Sequence, residues 1–158
     1  MGAITHLGDP KVVTVLAIGG LAESITAWAR KKPHLTLPWL GVGVAVLVAK
    51  GLKDWVGRPR PFEVLHSMGI PQGSPGDSFP SGHATGAFAL AAVLSQRFPR
   101  FQWVFWSLAA LIAFSRVAVG LHWPSDVMAG AVMGVGTVAG FSWIERKITM
   151  NRLLNSRR

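Results

Sequence analysis

The residues of this chain that are best suited to chemistry fall into three short polar clusters. The first contains Lys53 and Arg60, the second is Ser81–His83, and the third runs from Arg116 to Asp126. Arginine and lysine side chains bind anions such as phosphate, whereas histidine and aspartate transfer protons or attack electrophilic atoms. The three clusters together predict a phosphate site with nucleophilic and acid–base groups beside it.

Each cluster offers its own means of holding a phosphoryl group. Ser81 and Gly82 precede an apolar segment that is predicted to be a helix, and the first N–H groups of a helix bind anions. Gly82 has no Cβ, so the backbone can approach the anion closely. Arg60 and Arg116 supply forked, permanently charged donors, and Lys53 adds a point charge.

Two histidines beside such a site indicate one nucleophile and one acid. His122 and Asp126 are four residues apart, and Pro124 suits the first position of a helix. We expect Asp126 to accept the imidazole N–H of His122, which would fix the tautomer and leave the other nitrogen to attack. His83 would then protonate the leaving oxygen. The plainer alternatives are an N-cap role for Ser81 and a local helix-start contact between His122 and Asp126.

Long apolar segments separate the clusters and must position them. Half of the 158 residues are hydrophobic and only 15% are charged, against roughly 25% in soluble domains. A helix that spans a bilayer needs about 20 residues, and the apolar segments are Val12–Ala29, Leu35–Ala49, Ala84–Phe98, Phe101–Val119 and Pro124–Ile144. The sequence therefore predicts an all-α integral membrane bundle with five transmembrane helices, in a single domain over residues 1–158. Cysteine is absent, which excludes a disulfide scaffold, thiolate metal sites and thiol catalysis.

The positive charge is distributed as expected for a membrane protein. The net charge is +9, and 10 of the 16 lysines and arginines lie in Arg30–His34, in Arg97–Phe101 and after Glu145. Because these three segments alternate onto one face of a five-span chain, the positive-inside rule predicts an external N-terminus and a cytoplasmic C-terminus. The phosphate site then faces the outside, and little positive charge remains for a nucleic acid partner.

Two features inside the apolar segments are interpreted as structural rather than chemical. Gly130 and Gly134, like Gly136 and Gly140, have the spacing that lets two membrane helices approach closely. Glu23 is expected to face the interior of the bundle and to make a structural hydrogen bond.

Taken together, the three clusters resemble the type 2 phosphatidic acid phosphatase (PAP2) family. The family pattern K-x6-RP matches Lys53 to Arg60-Pro61, PSGH matches Pro80–His83, and SR-x5-H-x3-D matches Ser115 to Asp126. The resemblance implies that His122 forms a phospho-histidine intermediate, that Asp126 orients His122, and that His83 is the general acid. It also implies that no metal or other cofactor is required, and that the phosphoryl group is held by Lys53, Arg60, Ser81, Gly82 and Arg116. Arg58 lies outside the motif and has no role assigned to it.

The function implied by the resemblance is that of a membrane phosphatase acting on a lipid phosphate or diphosphate. Candidate substrates are undecaprenyl diphosphate, phosphatidylglycerophosphate and phosphatidic acid, and the sequence does not separate them or define an oligomeric state. Apolar residues near the first cluster are expected to guide the lipid tail: Trp55, Phe62, Val64, Leu65 and Met68.

Two alternatives and one departure from the family accompany this interpretation. Vanadium haloperoxidases share the three motifs, but they are soluble and larger. A non-catalytic phospholipid-binding or transport protein would need the cations, but not His83 together with His122 and Asp126. Membrane members of the family usually have six spans, so a chain with five is either a naturally short member or one that starts late.

Overall fold

Helices make up all the regular structure of the residues that a computed structural model describes, which are 10–29, 36–65 and 77–156. In chain order they are α1 Pro10–Ala29, α2 Thr36–Val56, α3 Pro61–Leu65, α4 Gly82–Arg97, α5 Gln102–Ala118 and α6 Pro124–Asn155. A short 3₁₀ turn, Pro99–Phe101, joins α4 to α5. The predicted all-α fold class is confirmed.

The predicted apolar segments correspond to α1, α2, α4, α5 and α6. Within the described residues, three segments are long and apolar enough to cross a membrane: Thr36–Leu65, Pro99–Ala118 and Pro124–Asn155. Helix α4 has 16 residues, fewer than the about 20 that a straight crossing needs. The apolar stretch in α1, Lys11–Gly20, is also short. The helical membrane bundle is therefore confirmed, and the number of five full crossings stays a prediction.

Helix α6 continues beyond the predicted end of its apolar segment at Ile144 and ends at Asn155. The extension contains no glycine or proline that would interrupt a helix. At its start, Glu145 Oε1 accepts hydrogen bonds from the backbone N–H groups of Thr36 (2.9 Å) and Leu37 (3.3 Å). These donors belong to the first turn of α2 and have no acceptor within that helix, so α6 caps α2. The side chain of Glu23 lies outside the described part of the chain.

Helix α4 lies at the centre of the bundle and packs against α2, α5 and α6. Most of its buried side chains are small, and small side chains let neighbouring helices approach closely. The buried alanines of α4 are Ala84, Ala87, Ala89, Ala91 and Ala92. This packing fixes the start of α4, where the second polar cluster lies.

A close backbone approach joins the first half of α6 to α4. A Cβ added at Gly130 would lie 2.6 Å from Ser81 O and 2.9 Å from Thr85 Oγ1, and one at Gly134 would overlap the carbonyl oxygen of Thr85. The packing predicted for this pair of glycines is therefore confirmed. Gly136 and Gly140 differ, because a Cβ at either position meets no atom within 4 Å, and the contact predicted for them is not present among the described residues.

We expect Gly134→Ala to lower the melting temperature of the protein in detergent, whereas the matched variant Gly136→Ala leaves it unchanged. The added methyl group at Gly134 meets backbone atoms that cannot move aside independently, and overpacking of this kind costs about 1–3 kcal/mol. Thermal unfolding followed by circular dichroism measures both variants. Equal melting temperatures for the two variants would contradict the proposed close contact between α4 and α6.

Candidate active site

The three polar clusters of the sequence meet at one end of the bundle. The first lies at the end of α2 and in the following loop, the second lies at the start of α4, and the third lies between α5 and α6. A hydrogen bond from the backbone N–H of Ser81 to the carbonyl oxygen of Asp126 (3.0 Å) joins the second cluster to the third. Residues that are far apart in the chain therefore form one site.

Lys53 and Arg60 are held together by one main-chain oxygen. Lys53 Nζ and Arg60 Nη2 both donate to the carbonyl oxygen of Asp77, at 2.5 and 3.3 Å. Arg60 also donates through Nη1 to the carbonyl oxygen of Leu121 at 3.3 Å. Arg60 as a whole is only 8% exposed. Two like charges held this close favour the binding of an anion between them.

Arg116 supplies a third cation, and part of it has no partner. The residue is 5% exposed, its Nε donates to Ser115 Oγ at 3.3 Å, and its Nη2 is buried without a hydrogen-bond partner. A buried charged donor of this kind is costly unless a ligand pairs with it. Arg116 is therefore placed as a phosphate ligand would be.

The start of α4 provides backbone donors beside these cations. Ser81 is the N-cap of α4, and its hydroxyl accepts from the N–H of Ala84 at 3.4 Å. The backbone N–H of Ser81 donates to the carbonyl oxygen of Asp126 and is therefore not available to an anion. The N–H groups of Gly82 and His83 lie in the first helical turn, where the helix itself offers no acceptor. Ser81 thus has the capping role that was the plainer alternative, and the anion-binding end of the helix begins at Gly82.

His122 is held in one tautomer by a main-chain oxygen. Its Nδ1 lies 2.7 Å from the carbonyl oxygen of Ser78. Because a carbonyl oxygen can only accept, Nδ1 carries the proton and Nε2 keeps its lone pair. The direct hydrogen bond expected from His122 Nδ1 to Asp126 is not formed, since Asp126 Oδ2 is 3.8 Å from Nδ1. The tautomer predicted for a nucleophile is present, but a different acceptor fixes it.

Through both of its carboxylate oxygens, Asp126 joins the first cluster and the chain before the second cluster to the third cluster. It is fully buried, and Oδ2 accepts from Ser78 Oγ (2.5 Å) and from the N–H of Trp123 (2.9 Å). Oδ1 accepts from Arg58 Nη1 at 2.6 Å. These donors occupy the carboxylate, which explains why His122 bonds to the nearer Ser78 carbonyl. Pro124 follows Trp123 at the first position of α6, as the sequence predicted.

The electrostatic surroundings keep the ring of His122 neutral. The pKa of His122 is lowered from 6.5 to about 3, mainly by burial and also by the positive charges of Lys53 and Arg60, although the hydrogen bond to Ser78 opposes them. His83 lies near enough to contribute in the same direction. A neutral imidazole with a free Nε2 is the form that can attack phosphorus.

An apolar cavity of about 210 Å³ adjoins His122 between α3 and the turn before α6. Phe62 and Leu65, two of the residues expected to guide a lipid tail, line it together with Trp123. Trp55 and Val64 do not line the cavity and are 83% and 50% exposed, and Met68 lies outside the described residues. The site therefore combines a cationic pocket with an apolar space on one side of the histidine.

Sequence reasoning missed three contributions to this site. Arg58 matched no motif position, yet it pairs with Asp126. Ser78 and Asp77 contribute carbonyl oxygens, which every residue type possesses and no motif can specify. The one sequence signal for Arg58 is a permanent charge beside a membrane segment, which requires a counter-ion. No group of three or more metal-ligating side chains is arranged to hold an ion in the part of the chain that the structure describes.

The fold and the site together define a helical membrane protein in which basic side chains are gathered at one end of the bundle near a buried histidine. The sequence profile of the PAP2 superfamily matches residues 34–150. The chain belongs to this superfamily, and the family resemblance of its three motifs is confirmed.

Individual relatives carry several phosphatase names. The chain is 33% identical over 149 residues to lipid A 1-phosphatase of Rhizobium etli, covering 83% of this chain and 64% of the relative. It is 34% identical over 103 residues to undecaprenyl-diphosphatase of Sulfolobus acidocaldarius, covering 64% of this chain and 47% of the relative. Among solved structures, a PAP2-type phosphatidylglycerolphosphate phosphatase from Bacillus subtilis matches with a TM-score of 0.72 and 28% identity, covering 92% of this chain and 74% of that one. The chain thus spans less than two thirds of the length of these two curated relatives.

We expect inorganic phosphate to raise the melting temperature of the wild-type protein and to have no such effect on Arg116→Met. A ligand at 100 times its dissociation constant stabilises the folded state by about 2.7 kcal/mol, and Arg116 is the cation with a buried, unpartnered donor. Thermal unfolding with and without phosphate measures the effect, and Arg100→Met, an exposed arginine between α4 and α5, should retain it. A phosphate-induced rise in Arg116→Met equal to that of the wild type would rule out this arginine as a ligand.

The ring of His122 should stay neutral from pH 8 to pH 4.5 in the absence of phosphate. Since its pKa in the folded protein is about 3 and near 6.5 in an unfolded chain, only the unfolded chain takes up a proton as the pH falls between these values. Folding stability therefore decreases with this pH change. Nitrogen NMR of histidine-labelled protein in micelles, assigned with His122→Asn, follows the ring directly. A titration of His122 centred near pH 6.5 would contradict the burial and charge around it.

Proposed function

We propose that this protein is a membrane phosphatase that hydrolyses a lipid phosphate or diphosphate through a phospho-histidine at His122. The observation that carries the proposal is the hydrogen bond from His122 Nδ1 to the Ser78 carbonyl. It leaves Nε2 unprotonated in a site that also holds Lys53, Arg60 and the unpartnered Nη2 of Arg116. A nucleophile beside converging cations is what phosphoryl transfer requires.

The reaction proceeds in two displacements at phosphorus. In the first, Nε2 of His122 forms a bond to phosphorus, the bond to the leaving oxygen breaks, and His83 gives that oxygen a proton. In the second, a water molecule attacks the phospho-histidine, gives a proton to His83, and releases inorganic phosphate with His122 restored. Lys53, Arg60 and Arg116 balance the charge on the phosphoryl oxygens in both steps. Asp126 acts on His122 indirectly in this scheme, since its carboxylate is 3.8 Å from Nδ1.

The substrate we propose is a lipid, because His122 lines an apolar cavity and also lies near the positive charges of Lys53 and Arg60. Phe62 and Leu65 line that cavity, and a tail that remains in the bilayer would lie along them while the head group reaches His122. The names of the relatives cover lipid A, undecaprenyl diphosphate and phosphatidylglycerolphosphate. Turnover of these lipids and of phosphatidic acid, measured as a panel, identifies the substrate.

The orientation we propose places the active site on the outer face of the membrane. The basic turn between α4 and α5, with Arg97 and Arg100, lies at the opposite end of α4 from His83. Helix α6 likewise begins beside His122 and ends among basic residues. Basic residues favour the cytoplasmic side, so the site at the other end of these helices faces outward. The segment Arg30–His34, the third basic stretch, lies outside the described residues.

No metal or other cofactor enters this scheme, since the charge that a metal would supply comes from three side chains. Activity should therefore persist in EDTA. Loss of activity in EDTA with recovery on addition of magnesium would contradict this part of the proposal.

We expect His122→Ala to reduce phosphate release from a lipid phosphate by at least about 10³-fold, because loss of a nucleophile removes the covalent pathway. His83→Gln should reduce it by about 10²- to 10⁴-fold with a lipid substrate, and by less with p-nitrophenyl phosphate, whose leaving group needs no proton. Phosphate release in detergent micelles measures all variants, with Arg100→Ala as a folded control. Equal release by His122→Ala and the wild type would contradict the nucleophile, and phosphate binding without release by the wild type would indicate a binding protein instead.

A further inference from the structure

We propose that Arg58 is a positioning residue for His122 and is not a ligand of the phosphoryl group. The catalytic consequences of this role rest on the proposed function. Arg58 lies between Lys53 and Arg60, at a position that the motif leaves unspecified. Arg58 and Arg60 are separated by a single proline, and by residue type alone either could bind phosphate. Their contacts distinguish them.

The guanidinium group of Arg58 is directed at the third cluster. Its Nη1 donates to Asp126 Oδ1 at 2.6 Å and to Ser125 Oγ at 2.8 Å. The group also lies over the ring of Trp123, 5.5 Å from its centre. Its charge is therefore paired with a fully buried carboxylate. The guanidinium group of Arg60 lies in another part of the site, where it donates to the carbonyl oxygens of Asp77 and Leu121.

Two contacts connect Arg58 to the histidine. Its side chain fixes Oδ1 of Asp126, and Oδ2 of the same carboxylate accepts from Ser78 Oγ. Its own carbonyl oxygen accepts the backbone N–H of Ser78 at 3.0 Å. Ser78 is thereby held at its N–H and at its hydroxyl, and its carbonyl oxygen accepts from His122 Nδ1.

The consequence concerns the direction of the attacking lone pair. A histidine whose Nδ1–H has one fixed acceptor keeps one tautomer and one ring orientation. If the side chain of Arg58 is removed, the Asp126 carboxylate loses a charged donor. The carboxylate that accepts from the Ser78 hydroxyl is then held less firmly, although the backbone N–H of Ser78 keeps its acceptor at residue 58. His122 would then sample other orientations, while the cations that bind phosphate remain in place. The chemical step should slow and substrate binding should change little.

The test compares Arg58→Gln, Arg58→Lys, Ser78→Ala and Arg60→Gln, with Arg100→Gln as an exposed control. Loss of a residue that orients a catalytic group typically costs about 10- to 100-fold in activity. We expect Arg58→Gln and Ser78→Ala to lower kcat by about this factor, with KM and inhibition by inorganic phosphate changed by less than about threefold. Arg58→Lys, which keeps the charge on Asp126, should retain more activity than Arg58→Gln. Arg60→Gln should weaken phosphate inhibition strongly.

The double variant Arg58→Gln/Ser78→Ala supplies a second test. If both residues act through one connected set of hydrogen bonds, the double variant should be little slower than the slower single variant. Fully multiplicative losses would show that they act independently and would overturn the proposal. Weakening of phosphate inhibition in Arg58→Gln as large as its loss of kcat would do the same, because it would make Arg58 a phosphate ligand. Should Arg58→Gln not fold, Ser78→Ala and Arg58→Lys decide the question by the same criteria.

A measurement without turnover separates this proposal from the proposed function. The ring nitrogens of His122, followed by NMR in the unliganded protein, should show one Nδ1–H tautomer in the wild type and in Arg100→Gln. Arg58→Gln and Ser78→Ala should show a mixture of tautomers. A wild type that releases no phosphate from any lipid but shows this shift would overturn only the proposed function. An unchanged His122 tautomer in both variants would overturn the positioning role, whatever the activity.

Discussion

The buried carboxylate of Asp126 is the group on which the arrangement of the site depends. It accepts hydrogen bonds from the loop after α2, from the chain before α4 and from the start of α6, so it fixes three distant stretches of chain to one another. Burial of a carboxylate is costly unless hydrogen-bond donors compensate for the lost water, and Asp126 has three side-chain or backbone groups that do so. In this protein the same contacts place Ser78 beside His122. Stability of the site and orientation of its histidine therefore have a common physical origin.

The bundle supplies this end of the molecule with a rigid frame. Helix α4 is lined with alanines and is approached by α6 at Gly130 and Gly134, so the start of α4 and the start of α6 are fixed relative to each other. Positive charge is divided between the two ends of these helices. Lys53, Arg60 and Arg116 lie at the end of the bundle that carries the site, while Arg97, Arg100, Arg146, Lys147 and Arg152 lie towards the other end. In the proposed function, the net charge of +9 is divided between phosphate binding at one end and membrane orientation at the other.

Much of this could be predicted from the sequence, and the exceptions have physical reasons. Apolar length predicted the helices, and the motifs predicted which side chains meet, because both depend on residue type. The prediction that His122 donates directly to Asp126 was wrong. The main-chain oxygen of Ser78 sets the tautomer instead, and residue type does not reveal such a contact. Arg58 and Arg60 have the same side chain, and only the structure shows that Arg58 donates to the Asp126 carboxylate while Arg60 donates to the Asp77 carbonyl oxygen. Likewise, Gly136 has the same spacing pattern as Gly130, but its position on α6 meets no neighbouring atom.

The position of the covalent phosphate during turnover shows which nitrogen attacks phosphorus. Protein labelled with ¹⁵N at histidine, allowed to react with a lipid phosphate, quenched in alkali and digested, can be analysed by mass spectrometry for the modified residue and by NMR for the modified nitrogen. We predict phosphate on Nε2 of His122, because Nδ1 carries a proton that is donated to the carbonyl oxygen of Ser78. Phosphate on Nδ1, phosphate on His83, or steady turnover with no phosphorylated histidine would contradict it.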